Sequence, residues 1–209
     1  MGTKERRERE RQETRDRILD AAREMFVKDG VEAVTMRAIA QRIEYTPTAI
    51  YHHFEDKEAL IRELAEHDAR ALGHAFQRIG RIEDPVERLR RIGRGYLRFG
   101  LENPNHYRFL FMTPSKAKDE AKAKAASETS YGFLRQTVAE AIETGRLRPE
   151  LVDPDQVALM CWAIAHGIVS LTIVFQHGGK AAWEAWPDPL PTGDLAIDGL
   201  MRGLLRGSV

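Results

Sequence analysis

Residues 31–60 read VEAVTMRAIAQRIEYTPTAIYHHFEDKEAL. Thr35 can cap a short helix carrying Ile39, Ala40 and Ile43 on one face. A four-residue break, Glu44 to Pro47, then leads to a second short helix with Ile50, Tyr51 and Phe54. Two short helices joined by a tight turn follow the helix-turn-helix plan, and Ala40 is small where the helices must cross. The second helix of such a unit enters the DNA major groove by its N-terminal end. There Thr46 and Thr48 offer hydroxyls, Thr48 adds a methyl, and Pro47 presents a compact apolar surface. Arg37 on the first helix has the reach for a guanine edge or a phosphate. Asp56 and Lys57 open the next helix, where backbone N–H groups and the lysine favour an anion.

Outward from this stretch the chain reads as helix almost throughout. Ile18, Ala22, Met25 and Phe26 stand at helical spacing, and Gly30 makes a plausible stop. Leu60, Leu64, Ala71, Leu72 and Phe76 continue the pattern, as do Leu89, Ile92, Tyr96 and Phe99. Four times a capping residue stands directly before proline: Thr46-Pro47, Asp84-Pro85, Asn103-Pro104 and Asp153-Pro154. Each pair is a helix start, because the capping side chain accepts from orphan N–H groups and proline at the first position loses no bond. A polar, Ala/Lys-rich run from Ser115 to Ser127 precedes a helix through Tyr131, Leu134, Val138 and Ile142. Residues 178–193 read as a loop, and a last short helix is expected over Leu195–Leu205. The expectation is an all-α chain of about nine helices.

Residues 12–62 resemble the DNA-binding domain of the TetR/AcrR family of transcriptional regulators. The resemblance rests on Ile18, Ala21, Ala22, Phe26, Gly30, Thr35, Ile39, Ala40, Tyr51, His53, Phe54, Lys57 and Leu60. It implies phosphate contacts from Thr35, Tyr51 and Lys57, and places Arg37, Pro47, Thr48 and His52 against bases or the adjacent backbone. The chain departs from the family pattern at Glu44, where glycine is usual because the turn wants a left-handed residue. A non-glycine residue there costs roughly 1 kcal/mol. Later, Cys161 to Gly167 (CWAIAHG) resembles the Trp–His–Gly signature of one effector-domain group, the WHG type. Asn103 to Phe111 resembles a Pro-then-Tyr helix of TetR effector domains. The resemblance implies an N-terminal three-helix DNA-binding domain over residues 1–57 and a ligand-binding, dimerising helical domain over 58–209. Within it, the last two long helices would form a homodimeric four-helix bundle.

The chain has 209 residues, 43% hydrophobic and 31% charged, which excludes disorder, collagen and disulfide-stapled miniproteins. Lys plus Arg balance Asp plus Glu at 32 each, so DNA attraction must come from local placement of charge. Residues 1–11 hold five Lys or Arg against three Glu. They read either as a solvated helical extension or as an arm whose Arg6 and Arg7 reach the minor groove or its phosphates. The charged first residues carry no secretory signal, so a cytoplasmic location is expected. Val157 to Phe175 is free of charge for nineteen residues, long enough for a membrane span. His166, Gly167, Ser170 and Thr172 dilute it, and burial in protein is favoured over lipid.

Tyr96, Phe99, Tyr107, Phe111, Tyr131, Trp162 and His166 form the candidate ligand set, suited to a small, mostly apolar effector. Taken singly, each aromatic reads as core. His166 suits a hydrogen-bonded core position or ligand contact. His52 and His53 are adjacent and point about 100° apart, so they do not converge on a metal. The single cysteine, Cys161, has no partner for a disulfide or a multi-cysteine zinc site. Phosphate-cradling glycine loops, nucleophile elbows and zinc-protease motifs are not found. The expected protein is a regulator rather than an enzyme, without cofactor or metal.

Overall fold

A computed structural model of the chain describes residues 2–76, 79–118, 130–177 and 187–207. The helices are α1 (Thr3–Asp29), α2 (Met36–Arg42), α3 (Pro47–Tyr51), α4 (Lys57–Phe76), α5 (Pro85–Glu102), α6 (Pro104–Tyr107), α7 (Tyr131–Glu143), α8 (Pro154–His177) and α9 (Pro189–Leu204). A 3-10 turn spans Ile79–Arg81, and a π-helical turn over Arg108–Met112 follows α6 directly. Among the described residues every named element is helical, as the apolar spacing implies.

The chain divides into two compact units. The first, here the head, takes residues 1–69 and 105–125. Its core gathers Ile18, Ala22 and Phe26 of α1, Ile39 and Ala40 of α2, Ile50 of α3, and Leu60 and Leu64 of α4. Phe109 of the π turn completes it, stacked on Phe26 with ring centroids 6.1 Å apart. A break after residue 57 would cut through this core, because the first turns of α4 and the returning Phe109 both lie within it. The sequence offers no local sign that Phe109 returns to a partner 83 positions earlier.

The second unit holds residues 70–104 and 126–209. Here α5 packs against α7, α8 and α9, and α8 packs against α7 and α9. Two glycines let α5 and α9 approach closely. A methyl on Gly93 would lie 2.9 Å from Ile197 Cδ1, and one on Gly193 would run into Leu97. Arg94 of α5 reaches Asp194 and Asp198 of α9 at 3.0 and 3.3 Å, at the solvent edge of this contact. The apolar helix α8 is long and apolar enough to cross a membrane, with 33% of its apolar window buried against its neighbours.

Three of the four expected proline starts are capped as expected. Thr46 accepts from Ala49 N, Asp84 from Val86 N, and Asp153 from Asp155 N. Asn103 behaves differently: its Nδ2 donates to Phe99 O, so it closes the end of α5. A fifth start at Asp188-Pro189 carries the same signal, and Asp188 accepts from Leu190 N. The last helix therefore begins at Pro189 and not at Leu195. Gly193, which reads locally as a loop residue, is the contact point with Leu97. The rest of the expected loop, 178–186, lies outside the described residues, as does most of the Ala/Lys-rich run.

Candidate nucleic-acid interface

The head presents its helix-turn-helix through a set of local hydrogen bonds. Thr35 caps α2, its Oγ1 accepting from Ala38 N at 3.1 Å. At the other end of α2, Glu44 N donates to Gln41 O and Tyr45 N to Ala40 O. These paired bonds make a Schellman ending, which needs a left-handed residue at its turning point. That residue is Glu44, with φ 61°, alone among described non-glycine residues in having positive φ. The turn thus keeps the geometry that glycine usually supplies, at a strain of roughly 1 kcal/mol.

Thr46 then caps α3 and Pro47 fills its first position. On this helix Pro47, Thr48, Tyr51 and His52 occupy an arc of about 140° by helical spacing. All four are exposed, Tyr51 by 52%, while Ile50 on the opposite side is fully buried. Five residues suffice for α3 because Ile50 and Phe54 anchor it and Thr46 caps it. Thr35, Arg37 and Thr46 are also exposed. Asp56 caps α4, accepting from Ala59 N at 2.6 Å, and next to it the Lys57 Nζ donates to Glu32 O at 3.4 Å. The lysine head is therefore held beside the start of α4 and the loop before α2.

The N-terminal run continues α1 as an exposed helix, with Arg6 paired to Glu10 at 3.4 Å. Arg6 and Arg7 stand on this extension, both exposed. Further along α1, Arg15 ties three elements together. It donates to His53 O at the end of α3, pairs with Glu63 of α4, and lies 4.5 Å over the Phe54 ring. Burial, with Arg15 and Arg11 nearby, lowers the His53 pKa and keeps the ring neutral at neutral pH. Sequence reading missed Arg15; its distant partners leave no short-range signal.

A second missed feature is buried in the head. Arg23 of α1 donates to both Asp68 oxygens, at 2.8 and 2.7 Å, and the Asp68 side chain is fully buried. Burial works against the Arg23 charge, but its bonds to Asp68 outweigh that and raise its pKa. His67 and His106 lie 3.2 and 3.7 Å from the same carboxylate. Burial lowers the His106 pKa despite Asp68. A sequence signal did exist: Arg23 stands four residues after Leu19, and Asp68 lies between Leu64 and Leu72 at the same spacing. A charge in step with an apolar stripe points to a buried partner.

The seven candidate ligand residues fall in different units. Tyr107 and Phe111 belong to the head, where Tyr107 is fully buried and their rings lie 4.9 Å apart. The second unit holds the other five. Tyr96 and Phe99 of α5 are buried, and Tyr131, Trp162 and His166 are half-buried. Trp162 Nε1 donates to Tyr96 Oη at 3.0 Å, and Tyr96 Oη lies 3.0 Å from His166 Nδ1. Tyr131 packs on Trp162 with centroids 6.0 Å apart. Burial pushes the Cys161 thiol up to about 12, leaving it protonated and unsuited to nucleophilic attack. Among the described residues no three His, Cys, Asp or Glu side chains gather to hold a metal.

Comparison with known proteins agrees with this geometry. Residues 18–64 match the family described as bacterial regulatory proteins, tetR family. Residues 89–186 match the tetracyclin repressor-like C-terminal domain. The transcriptional regulator UidR of Escherichia coli is 38% identical over 78 residues, 37% of each chain, so the match spans little more than a third of that relative. The transcriptional repressor Rv1474c of Mycobacterium tuberculosis is 40% identical over 135 residues, 64% of each chain. The solved SmeT–triclosan complex has the same fold, with a TM-score of 0.73 at 22% identity over 94% of both chains. With family descriptions matching residues 18–64 and 89–186, together more than half of its length, this chain belongs to the TetR family of bacterial regulatory proteins.

Proposed function

We propose that the protein is a sequence-specific, DNA-binding transcriptional regulator, a repressor released from a palindromic operator by a small, mostly apolar ligand. The carrying observation is the capped helix-turn-helix, whose α3 turns Pro47, Thr48, Tyr51 and His52 outward. Thr35, Tyr51 and Lys57 position the head on phosphates, with Arg6 and Arg7 adding contacts from the arm. Arg37, Thr46, Thr48 and His52 read the groove. The regulator acts in the cytoplasm, where its operator lies, and works neither as an enzyme nor in a membrane.

Homodimerisation is part of this reading. Leu159, Met160, Leu171 and Val174 of α8 and Leu195 of α9 are large apolar residues left 39–69% exposed. On α8 the smaller Ala163 and Gly167 fall between them at helical spacing, a stripe suited to a second copy. Two heads on a two-fold axis then read two half-sites. The effector binds the second unit, where Trp162, His166 and Gly167 carry the WHG-like signature. Binding of triclosan by SmeT, a protein of the same fold, supports a small aromatic or apolar molecule in that role.

Two substitutions separate phosphate contact from base reading. Lys57→Ala should weaken binding to every DNA and lower the salt slope by about 1, measured by titration at several salt concentrations. Arg37→Ala should instead relax preference at one base pair, a loss of about 1–3 kcal/mol on the preferred site. Uniform weakening on all sequences by Arg37→Ala would remove its base-reading role.

A further inference from the structure

Arg17 is an exposed residue of α1 with two carboxylates in reach along its own helix, Glu13 four residues before it and Asp20 three residues after. Such spacings bring side chains together, and a glutamate four residues before an arginine is the favoured order. Arg6 on the same helix does pair with a carboxylate four residues away. Arg17 forms no ion pair with any described residue, and Asp20 is taken by Arg23. Instead it reaches Tyr45, 28 positions on. Its guanidinium carbon lies 5.3 Å from the Tyr45 ring centroid, and Nη1 donates to the phenol oxygen at 3.3 Å. Tyr45 is half-buried, and its backbone N–H is fixed on Ala40 O at 2.9 Å. The next residue, Thr46, caps α3. The pair therefore stands at the turn through which the chain enters α3.

The donor inventory shows what this arrangement leaves over. A guanidinium carries five N–H donors and no acceptor, so the bond to Tyr45 uses one of them. The phenol oxygen accepts that bond and keeps its own proton, for which no described residue supplies an acceptor. A full positive charge with spare donors and a hydroxyl donor thus stand side by side on the head. Holding a long side chain over a ring costs rotamer freedom, which a charge serving only for solvation need not give up. The matching partner is an anion with several oxygens, and the planar arginine fork fits phosphate geometry.

Resting on the reading of the head as DNA-binding, we propose that Arg17 and Tyr45 form a clamp for one backbone phosphate beside α3. Arg17 makes the charged contact, and Tyr45 holds the guanidinium and donates its phenol proton to the same phosphate. Neither residue is among the contacts that the family resemblance implies, and Arg17 lies one position ahead of the matched stretch, residues 18–64. A phosphate carries no sequence information, so the clamp sets affinity and register and leaves base preference to other residues. Thr46 and Thr48 follow Tyr45 within three positions, so a phosphate fixed here sets how they meet the groove.

The test titrates a short fluorescein-labelled duplex of mixed sequence with the full-length protein, read by anisotropy at several salt concentrations. Arg17→Gln should lower affinity about threefold to tenfold and reduce the salt slope by about 0.9 for each head bound. Arg17→Lys should keep the slope while losing part of the affinity, because an ammonium keeps the charge without the fork. Tyr45→Phe keeps the ring and the charge, so it should lower affinity about threefold with the slope unchanged. That loss should shrink in the Arg17→Gln background, since the two residues hold one phosphate. Lys116→Gln removes an exposed cation of the head outside the helix-turn-helix and should leave the slope near that of the wild type. A wild-type slope in Arg17→Gln, an equal fall in Lys116→Gln, or a Tyr45→Phe effect that is absent or indifferent to Arg17 would overturn the clamp while leaving DNA binding intact. Wild-type protein that binds no duplex at low salt would overturn the DNA-binding reading and the clamp with it.

Discussion

Asp68→Asn will destabilise the head by about 3–5 kcal/mol in urea unfolding followed by circular dichroism. The Asp68 side chain is fully buried and that of Arg23 is 4% exposed, so removing the carboxylate charge leaves a guanidinium out of water with its main partner weakened. The pair bridges α1 and α4, 45 positions apart, so the loss falls on the packing that holds the helix-turn-helix. Asp20 is the internal control. It also bonds Arg23, at 2.6 Å, but is 67% exposed, and Asp20→Asn should change stability by less than about 1 kcal/mol. Equal losses from the two substitutions would show that burial is not what makes the Asp68 pair matter.

Leu171→Glu should convert the proposed dimer to monomer and lower operator affinity by more than about a hundredfold. Leu171 is 50% exposed on α8, outside the buried core of its own unit, so the chain should stay folded. A two-fold axis makes each substitution count twice, burying two carboxylates in an apolar contact. Separating the heads removes the effective-concentration advantage of binding two half-sites together, which is worth about 10²–10⁴ in affinity. Analytical ultracentrifugation and DNA titration read the two effects independently. A variant that stays dimeric with unchanged affinity would place the interface elsewhere.

The head was the most legible part of the chain because its structure is set by short-range chemistry. Thr35, Thr46 and Asp56 each cap a helix within three residues of themselves. The left-handed turn at Glu44 was legible only through the resemblance to the TetR family, which usually places glycine there. What escaped reading was set at long range. Gly193 looks like a loop residue until Leu97 is placed against it, and that appearance masks the helix start at Asp188-Pro189. Asn103 could serve either the helix before it or the helix after it, and only the packed structure assigns it to Phe99 O. Aromatic residue type does not separate the two units, so the candidate ligand set mixes Tyr107 and Phe111 of the head with the cluster around Trp162. The hydrogen-bond chain from Trp162 to His166 joins α8 to a tyrosine 66 residues upstream, beyond the reach of any local pattern.

The account rests on specific DNA recognition, and selection of genomic fragments by the purified protein at near-physiological salt tests it most directly. Sequencing of the bound fraction should reveal one shared site with two-fold symmetry, its half-sites about one helical turn apart or a multiple of it. A folded, dimeric protein that enriches no sequence, or enriches a site without symmetry, would contradict it.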